Sequence, residues 1–211
     1  MKLYTHFRSS AAFRVRIALN LKGLAYEPVC VSFAKSEHRQ AAYAAVNPQA
    51  LVPALVLDDG TRLNQSMAII EYLDEAHPQV PLVPKERLAR ARVRSLSYLV
   101  ACEIHPLNNL RVLQHLKRAL GQTEDQVNAW YRHWIADGLG KLEAELTTQK
   151  GRFCHGDSPT MADCCLVPQI FNAKRYNCDL VPYPTTMRVF EQCMKLEAFD
   201  RAQPAKQPDA E

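Results

Sequence analysis

Phe7-Arg8-Ser9-Ser10-Ala11-Ala12-Phe13-Arg14-Val15-Arg16-Ile17-Ala18-Leu19 is the stretch on which the fold turns. Lys2 to Thr5 before it alternates as a strand does, and Phe13, Ile17 and Leu21 recur at helical spacing up to Gly23. Two serines therefore fall where a helix opens. The first N–H groups of a helix have no partner inside it and carry the positive end of its dipole. A serine hydroxyl adds a donor, so the place suits an anion such as a thiolate. Taken alone, serines at such a position are more often a plain N-cap.

Outward from this helix, Tyr26 to Phe33 is β-rich, and Ser36 to Ala45 reads as a short polar helix ending before Asn47-Pro48. Ala50 to Leu57 is an apolar strand entered through Pro53, and Asp58-Asp59-Gly60 turns it back into Thr61 to Leu63. Ser66 opens a further helix with Ile69, Ile70 and Leu73 on its apolar face. The order β-α-β-α-β-β-α fits an α/β thioredoxin-like domain over residues 1–78. Three prolines between Pro78 and Pro84 mark a stiff linker, 79–85. The rest, 86–203, is helical throughout and reads as an all-α domain. Arg87 to Leu120 is one helix bent at Pro106, Thr123 to Thr148 a second, and Thr160-x-x-Asp163 a capping box opening a third. Pro184 to Lys195 is the last helix, and 204–211 reads as a loose tail.

Composition narrows the function. The 211 residues carry a net charge of +4, but the 26 Lys and Arg are scattered among acids, without the basic block that nucleic acid requires. No apolar run approaches the ~20 residues of a membrane span, and the N-terminus enters a strand directly, so a cytoplasmic protein is expected. Seven cysteines, an odd number without a C-x-x-C pair, argue against a disulfide framework or zinc site and for reduced thiols. The adjacent Cys164-Cys165 reads as core filling. The histidines are dispersed, and no metal site is expected.

Ser9-Ser10-x-x-x-Arg14-Val15-Arg16-Ile17-Ala18-Leu19, Asn47-Pro48, Val52-Pro53, Gln65-Ser66 with Ala68-Ile69-Ile70-Glu71-Tyr72-Leu73, and Thr160-Met161-Ala162-Asp163 together resemble the zeta class of cytosolic glutathione transferases. The run Ile104-His105-Pro106-Leu107-Asn108-Asn109-Leu110 narrows the resemblance to the isomerases of that class. It spans Lys2 to about Pro208. It implies reduced glutathione as cofactor, a homodimer, and a small dicarboxylate as substrate. It also implies a cis Pro53, with the Val52 backbone paired to the tripeptide, and a γ-glutamyl carboxylate on Ser66 beside Gln65. Ser9 is then the hydroxyl nearest the sulfur, with the Ser10 and Ala11 amides beside it. His38, His105 and Asn109 stand where glutathione contacts are carried. Many members have Cys at position 11, and Ala11 argues against chemistry that uses a protein thiol there. Ala12 and Phe13 also replace the commoner Ser and Trp. Tyr4, inside the first strand, reads as a core or interface residue.

The activity so implied is cis–trans isomerisation of a maleyl diketo acid, maleylacetoacetate to fumarylacetoacetate, in aromatic catabolism. Thiolate addition makes the double bond single, the bond rotates, and elimination returns product and thiol. Arg8, beside the serines, completes the catalytic set with Ser9 and Ser10. Arg8, Arg111 and Arg175 are the candidates to bind two carboxylates and an enolate, since a guanidinium offers a fixed fork of donors and keeps its charge. Alternatives are a maleylpyruvate isomerase, a general conjugating glutathione transferase, and a non-catalytic module of the same fold.

Overall fold

β1 (Lys2–Thr5) runs parallel to β2 (Glu27–Cys30) on one side and antiparallel to β3 (Ala54–Val56) on the other, and β4 (Arg62–Asn64) pairs antiparallel with β3. The structure is a computed structural model and describes residues 1–148 and 150–210. Among these the strand order is β2-β1-β3-β4. Leu3 sits between Pro28 and Leu55, and Pro28, which can donate nothing, is tolerated because β2 is an edge strand.

A parallel pair needs a crossover, and α1 (Ser10–Leu21) supplies it. Val15, Ile17, Ala18 and Leu19 on α1 are wholly buried, as are Ile69, Ile70 and Leu73 on α3 (Ser66–Ala76), which packs beside it. Each such Leu or Ile stabilises the fold by about 1.5–3 kcal/mol. Between β2 and β3 the polar stretch is shorter than the sequence suggests: a 3₁₀ turn at Glu37–Arg39, then the single turn α2 (Ala41–Ala44). At the end of α1, Lys22 donates to Asp74 Oδ1 (2.8 Å) and to the carbonyls of His77 and Val80. Asp74 also accepts the N–H groups of Leu82 and Val83, so the proline-rich connector is tied down to that point.

The chain forms two compact units, Met1–Val83 with the chain from Met194 onward, and Pro84–Cys193. In the second, α4 (Arg87–Tyr98) continues into a π-helical stretch, Leu99–Ile104, and a 3₁₀ turn, His105–Asn108, before α5 (Leu110–Arg118). One bent helix was the expectation from sequence. Pro106 lacks an N–H and collides with the carbonyl of Cys102, and the chain relieves both by widening, then tightening, then restarting at Asn109. α6 (Glu124–Thr147) opens on a capping box of Thr123 and Gln126. α7 (Met161–Arg175) opens on that of Thr160 and Asp163, buries every residue from Met161 to Ile170, and packs on α4. Asp163 also accepts from the Cys154 N–H at 2.9 Å. α8 (Pro184–Met194) is capped from α6, where Glu143 accepts the N–H groups of Thr185 and Thr186 at 2.8 and 2.7 Å.

α9 (Glu197–Ala202), which the sequence reading passes over, returns to the first unit and lies against α1. Residues 204–210 of the stretch expected as a loose tail are held there as well, and 211 lies outside the described residues. Pro204–Lys206 is a 3₁₀ turn, Gln207 is buried and donates to the carbonyls of Arg201 and Gln203, and Asp209 accepts from the Phe7 N–H. Arg16 is the link: wholly buried, it donates from Nε to Ala202 O (3.0 Å) and from Nη1 to Thr5 Oγ1 (2.9 Å). Burial lowers its pKa to about 10, against the pull of Tyr26, Asp209 and Cys30, so it stays charged at neutral pH.

Candidate active site

The Ser9 N–H donates to His6 O at 2.9 Å and closes a turn through Phe7 and Arg8 that delivers the chain into α1. Ser9 is the N-cap in extended conformation, its Oγ accepting from the Ala12 N–H at 3.2 Å. Because that oxygen accepts, its own hydrogen remains for donation outward. Ser10 and Ala11 are the first two helical residues, no acidic side chain lies in the first turn, and Arg8 is exposed with its guanidinium over the Phe7 ring. The cap and the anion-binding reading of these serines are therefore compatible.

Ala12 packs in a cluster with Val31, Tyr43 and Val52, against which Tyr4, Phe33 and Val46 also rest. Tyr4 thus has the core role expected of it. The cluster brings the opening of α1 to Val52–Pro53, whose peptide bond is cis. Tyr43 OH and Asn47 Nδ2 both donate to Leu51 O (2.6 and 2.7 Å), which shapes the approach to that bond. Burial pushes the Tyr43 phenol up to about 12, so it stays a donor. The His38 ring lies 4.4 Å from that of Phe33, and its buried Nδ1 has no partner among the described residues. Burial, and then Arg39, lower its pKa and favour the neutral imidazole.

Gln65 caps α3 with φ 66°, a region costly for a non-glycine residue, at about 1–3 kcal/mol. Its Nε2 donates to Gln49 Oε1 at 2.6 Å. Ser66 is buried at the opening of α3, and Arg14 Nη1 donates to its Oγ at 3.3 Å. A buried guanidinium thus adds positive charge behind a helix N-terminus.

The other candidates belong to the second unit. His105 is half-buried in the 3₁₀ turn that follows the π-helical stretch. Asn109 is the N-cap of α5, its Oδ1 accepting the Arg111 N–H at 3.0 Å, which leaves its amide hydrogens for other acceptors. Arg111 projects from the first turn of α5 and is exposed. Arg175 ends α7, its guanidinium 5.2 Å from the centre of the Tyr176 ring, which stacks on that of Tyr131.

The family model of the glutathione S-transferase N-terminal domain matches residues 8–76. The maleylacetoacetate isomerase of Pseudomonas aeruginosa is 48% identical over 211 residues, 99% of this chain and 98% of that protein. The solved holo structure of a bacterial maleylpyruvate isomerase, a zeta-class glutathione transferase, superposes with a TM-score of 0.98 at 47% identity over 100% of both chains. The chain belongs to the zeta-class glutathione transferase family. A second solved member, the maleylacetoacetate isomerase of Methylobacterium extorquens AM1 with bound malonate and glutathione, has a TM-score of 0.96 at 43% identity, again over 100% of both chains.

In this zeta-class chain the sequence reading missed the part of Arg14. The available signal was a pair of arginines, Arg14 and Arg16, in a run otherwise apolar from Ala11 to Leu19, which a solvated helix face does not explain. The seven cysteines are free thiols, four of them buried, and burial pushes those of Cys154 and Cys193 well up, with nearby Asp163 adding to it. Cys154 and Cys193 are inert fillers of the core. No helix among the described residues is long and apolar enough to cross a membrane.

Proposed function

We propose that this zeta-class transferase isomerises maleylacetoacetate to fumarylacetoacetate with reduced glutathione as cofactor, in the breakdown of aromatic compounds. The observation that carries the reading is Ser9: a helix cap whose hydroxyl accepts inward and can donate outward, at an N-terminus free of acidic side chains. The remaining donors suit the tripeptide. Ser66 above the buried Arg14 offers a positive site to the γ-glutamyl carboxylate. Val52 beside the cis bond offers backbone groups, and His38 an orphaned ring nitrogen. Gln65, His105 and Asn109 complete the set. The glutathione domain is the unit Met1–Val83 with the chain from Met194 onward, and the substrate domain is the unit Pro84–Cys193.

Bound glutathione supplies a thiolate that adds to the double bond and leaves once the bond has turned. The chain's own residues do the rest. Ser9, with the Ser10 and Ala11 amides, stabilises negative charge at the sulfur position. Arg8, Arg111 and Arg175 take the substrate carboxylates and the charge that builds up on the conjugated oxygen. Ala11 leaves no protein thiol to compete. The dicarboxylate malonate bound with glutathione in the Methylobacterium relative supports this substrate class.

Maleylpyruvate is the second reading, supported by the maleylpyruvate isomerase at 47% identity. The protein works as a cytoplasmic homodimer. Arg111→Ala tests the substrate assignment: KM for both diketo acids rises about 10-fold or more with glutathione binding unchanged. Unaltered turnover of both would remove Arg111 from the site.

A further inference from the structure

Asp209 stands 202 positions after Phe7 in the chain, yet its Oδ2 accepts the Phe7 N–H at 3.0 Å and lies 3.4 Å from His6 Nδ1. The carboxylate is largely buried, its side chain 18% exposed. Phe7 is the second residue of the turn that Ser9 closes onto His6 O. The N–H at that position points away from its own turn and needs an acceptor from outside. The same backbone is gripped from its carbonyl side by Arg16, which donates from Nη2 to Phe7 O (3.1 Å) and from Nη1 to His6 O (3.4 Å). The turn is thus clamped between a buried cation and a nearly buried anion. His6 also stacks on Phe33, which in turn meets the His38 ring, so the clamp continues to a second candidate glutathione contact.

Arg8 is the third residue of this turn and Ser9 its last. Neither touches Asp209 through any contact described, but their backbone directions follow from the two peptide groups that Asp209 and Arg16 hold. We infer that Asp209 is a positioning residue for the thiol site: its carboxylate locks the His6–Ser9 turn and so sets where the Ser9 hydroxyl and the Arg8 guanidinium point. The inference rests on the glutathione reading of that site. The charged and titratable groups facing the carboxylate are His6, Arg16 and Cys30, whose thiol is pushed up by burial and then by Asp209 itself. This gives the C-terminal stretch a part in the chemistry.

Asp209→Ala and Asp209→Asn test it, with KM for glutathione, kcat, thermal unfolding, and the ultraviolet thiolate absorbance of the bound tripeptide against pH as readouts. In the alanine variant KM for glutathione rises about 3- to 10-fold and the thiolate forms at higher pH, while kcat at saturation falls less than about 2-fold. Asparagine keeps an acceptor for the Phe7 N–H and recovers most of that loss. Should the alanine variant fail to fold, the asparagine variant decides, with a rise of about 2-fold expected from the lost charge. Wild-type KM and thiolate titration in the variants, whatever their melting temperature, would reduce Asp209 to a structural contact and overturn the inference. Wild-type protein that binds no glutathione would overturn the functional reading itself, and this one with it.

Discussion

On the glutathione reading Ser9 does two jobs with one oxygen, and they can be separated. Its Oγ caps α1, and its hydroxyl hydrogen is free to face the sulfur. Ser9→Ala loses both: stability falls by about 1 kcal/mol, the usual cost of a lost cap. Isomerase kcat/KM falls by about 100-fold, the scale of one deleted charge-stabilising donor. Ser9→Thr, which can still cap and donate, restores the melting temperature and part of the rate. A variant that loses stability alone would leave Ser9 a cap and nothing more. At this scale the sequence was informative about local structure, as with the Ser9 cap at the start of α1 and the cis bond of Val52–Pro53. It was blind to Arg14, because nothing in a single chain tells which face of α1 meets the opening of α3.

Among the elements, the π-helical stretch before His105 depends on one close approach. A Cβ built on Gly138 would lie 2.2 Å from Ile104 Cγ1 and 2.4 Å from its Cδ1, so α6 can meet this stretch only where it has no side chain. Gly138→Ala is expected to lower stability by about 1–3 kcal/mol in chemical denaturation. Ile104→Ala in the same chain should cost less than the two changes summed. Strict additivity would mean that the pair does not set the packing. Glu143 offers a pH test. Burial draws its carboxyl up, but the hydrogen bonds from Thr186 and Thr185 outweigh that and hold it below its usual value. A carboxyl lowered by folding stabilises above its unfolded pKa, about 4.3, and that stability is lost as pH falls through the lower, folded value. Glu143→Gln should therefore flatten the fall in melting temperature below about pH 4.5 and lower it at pH 7. An unchanged acid limb would show that the caps of α8 do not titrate. The long helices were legible from periodicity and, for α7, from the Thr160–Asp163 capping box, while α9 was not. The split of Arg87–Leu120 into four pieces was not, since a proline announces a disturbance but not how the chain absorbs it.

For the whole molecule, the sequence reading divides the chain at the prolines and lets it fray at the end. The structure returns α9 and the following turn to the first unit, because Arg16 and Asn20 on α1 need the carbonyls of Ala202 and Ala198 as acceptors. Such long-range pairing of a buried arginine leaves no local pattern to read. What the whole chain does together is the central claim: a tripeptide thiolate is borrowed and returned. The direct measurement follows each cis diketo acid by absorbance with glutathione far below the substrate concentration, and titrates free thiol at the end. Many turnovers per glutathione, all thiol recovered, and no reaction when glutathione is omitted are the predicted result. Equal rates without thiol, or one glutathione consumed per product, would contradict it.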